Sequence, residues 1–179
     1  RVELPALVNE IQGVYQFYAR SKSVQIVSTV PDHVSVMADR QMIKVVLRNL
    51  VSNAIKFSTA GTKVTIQAVM ENDQVSISVA DEGQGIAPEI LTRILKGEEI
   101  TTKGTGGEYG SGLGLNLCRE FIEKHNSRLQ VSSIPGKGSI FSFLLPVLPV
   151  ETSVVQPAAK EILKPVAILR PVNGKPGRE

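Results

Sequence analysis

The chain has 179 residues, 42% of them hydrophobic and 21% charged, proportions of one ordinary globular domain with some chain to spare. Its single cysteine, Cys118, excludes a disulfide-stapled secreted scaffold and a thiolate metal cluster, and the expected setting is a reducing cytoplasm. A net charge of +3 with no Trp leaves neither the basic footprint nor the stacking surface of a nucleic-acid binder. No apolar run approaches the roughly 20 residues that cross a bilayer.

Taken in chain order, Leu4, Leu7, Val8, Ile11, Val14, Tyr15 and Tyr18 recur at helical spacing and predict an amphipathic helix over Val2–Ser21. Val24–Val30 alternates as a strand does. Asp39 is a side-chain cap for a long helix reaching Phe57, whose inward stripe is Ile43, Val46, Leu47, Leu50 and Ala54. Lys63–Met70 and Gln74–Ala80 read as antiparallel strands joined at Glu71-Asn72-Asp73. Pro88 begins a short helix to Leu95. The stretch 96–111 holds five glycines and no apolar period, and reads as a mobile lid. Leu113–Glu123 is helical, with Leu117, Cys118, Phe121 and Ile122 inward and Asn126 as a left-handed cap. The strands Arg128–Ser133 and Ser139–Leu145 meet at Pro135-Gly136-Lys137-Gly138. Four of the chain's ten prolines fall in the last 29 residues, so the expected division is a domain over 1–148 and a Pro-rich linker or tail over 149–179.

Three segments carry chemistry. On the long helix, Asn49 and Asn53 lie four apart and share a face, which Lys56 and Phe57 extend by a turn. Magnesium takes one or two protein oxygens and completes its shell with water and phosphate, so an Asn carbonyl can serve it without a carboxylate. Two helical asparagines can equally be surface residues. Asp81-Glu82-Gly83-Gln84-Gly85-Ile86 follows a strand. Its Asp81 carboxylate can accept the exocyclic N–H of adenine while Gly83 and Gly85 admit the ring, or the segment can be a capped glycine turn. Gly110-Ser111-Gly112-Leu113-Gly114-Leu115 opens a helix, where free backbone N–H groups make a phosphate site. A dinucleotide fingerprint would look similar, but a glycine-rich lid precedes the loop where that motif requires a strand.

In order and spacing, these segments resemble a family. Arg48-Asn49-Leu50-Val51-Ser52-Asn53-Ala54-Ile55-Lys56-Phe57-Ser58 is similar to the N box of sensor histidine kinases. Asp81–Ile86 and Gly110–Leu115 are similar to their first two glycine boxes, and Gly136-Lys137-Gly138-Ser139 with Phe141–Pro146 to the third box and closing strand. The resemblance covers about residues 1–147. It implies the Bergerat fold, a two-layer α/β sandwich in which a mixed, mainly antiparallel sheet carries helices on one face and a glycine-rich ATP lid. It also implies ATP and Mg2+ as cofactors.

Position by position, the resemblance makes Asn53 the magnesium ligand and assigns Asn49 and Lys56 to catalysis and the phosphates. Phe57 then lies against the base, Asp81 reads adenine, and Gly83, Gly85 and Ile86 line its pocket. Gly110, Ser111, Gly112, Leu113 and Gly114 cradle the triphosphate. Ser139 supports Asp81 through water, and Lys103 is a γ-phosphate candidate. Ile94 and Leu95 depart from the phenylalanines common between the first two glycine boxes, which bears on lid docking more than on ATP.

Related ATPases of this fold place a glutamate one turn before the magnesium-binding asparagine. Here that position is Asn49, an amide that cannot take a proton from water, which favours transfer to a protein acceptor over hydrolysis. The implied partners are a dimerisation hairpin bearing the phospho-acceptor histidine, a second copy of the whole protein, and a response regulator. Neither His33, in a Pro-Asp turn, nor His125, a cationic cap at a helix end, reads as the acceptor. A serine kinase of the anti-sigma type and a non-catalytic nucleotide sensor are the alternatives.

Overall fold

The computed structural model describes residues 1–108 and 112–148; Gly110, Ser111 and the Pro-rich tail lie outside them. Helix α1 (Leu4–Ser21) starts two residues later than its periodicity predicts, because strand β1 (Val2–Glu3) pairs antiparallel with strand β3 (Ser35–Val36). Strand β2 (Gln25–Thr29) follows α1. Helix α2 (Arg40–Phe57) is capped as expected: an Asp39 carboxylate oxygen accepts from the N–H groups of Gln41 and Met42 at 2.8 and 3.0 Å.

Strands β4 (Lys63–Glu71) and β5 (Gln74–Asp81) form the predicted hairpin, with Asn72 in the left-handed region at its turn. Helix α3 spans Pro88–Leu95 and helix α4 Gly114–Glu123, and strands β6 (Gln130–Ile134) and β7 (Gly138–Pro146) complete the fold. Asn126 takes φ 55°, the left-handed cap its sequence position predicts.

Five strands run in the order β2-β4-β5-β7-β6, with β2 and β4 parallel and every other pair antiparallel. The expected mixed, mainly antiparallel sheet is therefore present. Alternation decides which face is covered. Val64 and Ile66, Val75, Ile77 and Val79, and Phe143 and Leu145 are buried, and they meet Leu7 and Ile11 of α1, Ile43, Val46, Leu47 and Leu50 of α2, and Cys118 and Ile122 of α4. Replacing a residue such as Leu50 or Ile77 with Ala costs about 2–5 kcal/mol, because the neighbours cannot collapse into the space.

Two apolar residues expected inward face out instead. Val14 is 55% exposed and Leu117 37%. The backbone beyond β7 ties down the amino-terminal pairing, Leu148 N–H donating to Ser35 O at 2.9 Å.

Candidate functional site

A cavity of about 520 Å³ opens between the C-terminal half of α2, the loop after β5, α3 and the start of α4. Asn49, Asn53, Lys56, Phe57, Asp81, Gly85, Ile86, Gly112, Gly114 and Ser139, which four separate sequence motifs supply, all line it. A wider groove of about 690 Å³ between α1 and β2 is lined by amides such as Asn9, Gln12 and Gln16, with Arg20 as its sole charge. None of the motif residues reaches that groove, so the chemistry lies in the smaller cavity.

Asp81 ends β5 between two neighbouring strands, facing Val64 of β4 and Ser139 of β7. Only 8% exposed, it accepts a 2.9 Å hydrogen bond from Gly83 N–H and another from the Ser139 backbone. Burial raises its pKa above the ordinary value, and the two hydrogen bonds oppose the rise. A buried carboxylate with acceptor capacity left toward a cavity is suited to a ligand N–H.

Gly83 is set apart from the residues it was grouped with. It does not line the cavity; a Cβ there would overlap the Phe57 carbonyl oxygen, so its glycine lets the loop close onto the end of α2. Gln84 N–H donates to that same carbonyl at 3.2 Å. At Gly138, φ is 107° and a Cβ would overlap the Asp81 carbonyl, so the third glycine motif keeps β7 tight against Asp81.

Ser133, which no motif singled out, joins these pieces. Its hydroxyl accepts from Ile86 N–H at 2.8 Å, donates to Gly138 O at 3.0 Å, and lies 3.0 Å from the Ser139 hydroxyl, which donates to it. A serine at an alternating strand position carries no sequence signal for such a role.

At the other end of the cavity, the Asn49 amide nitrogen donates to Val45 O at 3.0 Å, turning its oxygen toward Gly114, where a Cβ would come within 2.7 Å of it. Asn53 lines the cavity, and among the described residues no hydrogen bond engages its side chain. Its carbonyl is therefore available to a cation. Lys56 is 8% exposed, its ammonium donating to Thr102 O at 2.8 Å and standing 4.6 Å from the Phe57 ring centroid. Burial lowers its pKa, nearby Glu108 raises it and Lys22 lowers it further, the net direction being down. The donor set of two amide oxygens, one ammonium and a helix N-terminus suits a polyphosphate with its cation.

Lys103 is exposed and does not line the cavity; Leu113 precedes α4 as its cap residue and is 53% exposed. Both stand outside the lining that the other residues form. Ile94 is buried at the cavity wall, and Leu95 is 53% exposed.

The remaining reactive groups lie elsewhere. Cys118 is buried in the core and its thiol is pushed up to about 12 by burial. His33 is an exposed turn residue. His125 is no cationic cap: its Nε2 accepts from Asp39 N–H at 2.9 Å and its Nδ1 donates to Phe121 O at 2.6 Å, a pairing open only to the neutral ring. It ties the end of α4 to the start of α2.

A helix-covered, mainly antiparallel sheet with such a cavity beside its central strand defines a class. Residues 38–149 match the family described as histidine kinase-, DNA gyrase B-, and HSP90-like ATPase, and the chain belongs to that family. Among its relatives is the adaptive-response sensory kinase SasA of Crocosphaera subtropica, 40% identical over 148 residues. That match covers 82% of this chain but only 38% of SasA, so the chain spans well under half of the relative's length.

The catalytic domain of the histidine kinase ThkA superposes with a TM-score of 0.70 at 29% identity, covering 81% of this chain and 93% of that one. Full-length ShkA in complex with AMPPNP superposes with a TM-score of 0.69 at 27% identity, over 82% of this chain and 30% of that one. These similarities identify the chain as the ATPase domain found in sensor histidine kinases.

Proposed function

We propose that the domain binds Mg-ATP in the 520 Å³ cavity and supplies its γ-phosphoryl group to a histidine on a helical hairpin outside this chain. The observation that carries the reading is the convergence of Asp81, buried at one end, with Asn53 and Lys56 at the other. Asp81 takes the exocyclic N–H of adenine, with Ser139 and Ser133 steadying it from β7 and β6. Phe57, Gly85 and Ile86 wall the base. Asn53 offers its carbonyl oxygen to magnesium, which when bound neutralises phosphate charge, and Asn49 and Lys56 orient the phosphates with the backbone of Gly112 and Gly114. The analogue seen with ShkA supports the nucleotide part of this reading.

At the position where a hydrolytic base would stand, the Asn49 amide already donates to Val45 O and has no proton-accepting nitrogen. Attack by water therefore lacks an activating group, and positioning of a separate nucleophile remains. The whole protein is proposed to dimerise through that hairpin and to pass phosphate to a response regulator.

Labelled ATP, this chain and its upstream hairpin test the reading together. Acid-labile phosphate on histidine is expected. Acid-stable phosphoserine on a partner protein, or tight binding with no transfer, contradicts it in favour of a serine kinase or a nucleotide sensor.

A further inference from the structure

The described part of the glycine-rich loop is held rather than loose. Tyr18 and Lys22, one turn apart at the end of α1, both donate to the same Glu108 carboxylate oxygen at 2.8 Å. The Lys22 ammonium also donates to Lys56 O and to the Thr105 hydroxyl, each at 2.8 Å. Thr105 in turn gives its N–H to Lys56 O at 3.1 Å and its hydroxyl proton to Ser58 O at 2.6 Å. Lys56 and Ser58 sit where α2 ends, where carbonyls lack intrahelical partners and the helix dipole favours a cation.

Glycine is needed where these layers cross. A Cβ on Gly104 would lie 2.6 Å from Lys56 Cγ and 2.8 Å from the Glu108 carboxyl carbon. The loop thus presses directly on the Lys56 stem and confines it. Burial of Glu108 opposes its charge, but hydrogen bonds from Lys22, its own amide and Tyr18 prevail and hold its pKa at about 2. Burial, then the Glu108 contact, push Tyr18 up to about 12, so the phenol stays a donor.

We infer that Tyr18, Lys22 and Glu108 are positioning residues for nucleotide binding, pinning loop 102–108 across the end of α2 so that the Lys56 ammonium is held at the phosphate end of the cavity. This rests on the Mg-ATP reading above. The three act through Lys56 and leave recognition of the base to Asp81.

Calorimetric titration of the whole chain with Mg-ATP tests the assignment, using Lys22→Met, Glu108→Gln, their combination and Lys22→Arg, each first checked for folding by thermal melting. The single variants are expected to bind roughly tenfold more weakly, the combination no worse than either, and Lys22→Arg within about threefold of the parent. Affinity within about twofold of the parent in folded Lys22→Met and Glu108→Gln overturns the inference and leaves the Mg-ATP reading intact. A parent chain that does not bind Mg-ATP overturns both. Should the variants not fold, hydrogen exchange of the parent decides. The Gly104 and Thr105 amides, bonded to Glu108 O and Lys56 O, are expected to be protected, and exchange at the free-peptide rate overturns the anchor.

Discussion

The two ends of the cavity are built by different means. The base end rests on backbone: Asp81 has a neighbouring strand on each side, and the loops touching it are fitted by Gly83 and Gly138. The phosphate end rests on long side chains, with Lys22 and Glu108 retaining 14% and 30% of their side-chain exposure. A ladder fixes Asp81 to within the play of a sheet, whereas the lid is fixed by one partly solvated ion pair and by a few hydrogen bonds from Thr105 to the end of α2. In the proposed Mg-ATP reading, recognition of the base is thereby separated from the part of the site that admits and releases phosphate.

Changing Asp81 or Asn53 should break this division most severely. Asp81→Asn and Asn53→Ala are each expected to lose roughly 100-fold or more in Mg-ATP affinity by calorimetry, because a buried site made for a polar contact rejects its absence. The two differ in stability. With its pKa raised in the folded state, Asp81 contributes stability below its unfolded pKa that is lost as pH rises through the folded value. At neutral pH the charge is therefore a cost, and Asp81→Asn should melt no lower than the parent.

Gly138→Ala attacks the backbone support itself. At φ 107°, with its Cβ overlapping the Asp81 carbonyl, it should lose about 2–4 kcal/mol in urea denaturation, and ATP affinity with it. Ser133→Ala sharpens the comparison at smaller scale. Leaving the Ile86 N–H unpaired should cost about 1 kcal/mol and weaken binding a few-fold, without altering exchange at Gly104 or Thr105. His125→Ala, remote from both ends, should cost about 1 kcal/mol of stability and leave affinity unchanged, since its bonds to Asp39 and Phe121 join only α2 and α4.

The same division explains what was legible in the sequence. The cavity-lining motifs of both ends are written locally: Asp81, Gly83 and Gly85 fall within five residues, and Asn49, Asn53 and Lys56 share one helical face, so order and spacing disclose them. The Asp39 cap, the hairpin at Asn72 and the Asn126 cap are likewise short-range signals with a physical cause. The phosphate-end support is not. Tyr18 and Lys22 meet Glu108 across 90 and 86 residues of sequence, so Tyr18 read only as part of an apolar stripe and the loop only as mobile.

The available hint was Glu108, the single carboxylate among the four glycines at 104, 106, 107 and 110. β1 and β3, at two residues each, carry no periodicity, and Val14 and Leu117 misread because helical spacing of apolar residues does not reveal how wide a stripe the neighbouring elements cover. Gly83 was placed in the right motif for a different reason, its space being taken by Phe57 rather than left to a ligand.

The central claim is that Asp81 reads adenine through its exocyclic N–H, and the most direct measurement compares calorimetric affinities of the parent and Asp81→Asn for Mg-ATP and Mg-ITP. Inosine presents a carbonyl where adenine has its amino group, which would face the buried carboxylate. The parent should prefer ATP by roughly 100-fold, and Asp81→Asn should lose most of that preference. Equal affinity of the parent for the two nucleotides, or a preference that survives in Asp81→Asn, would contradict the account.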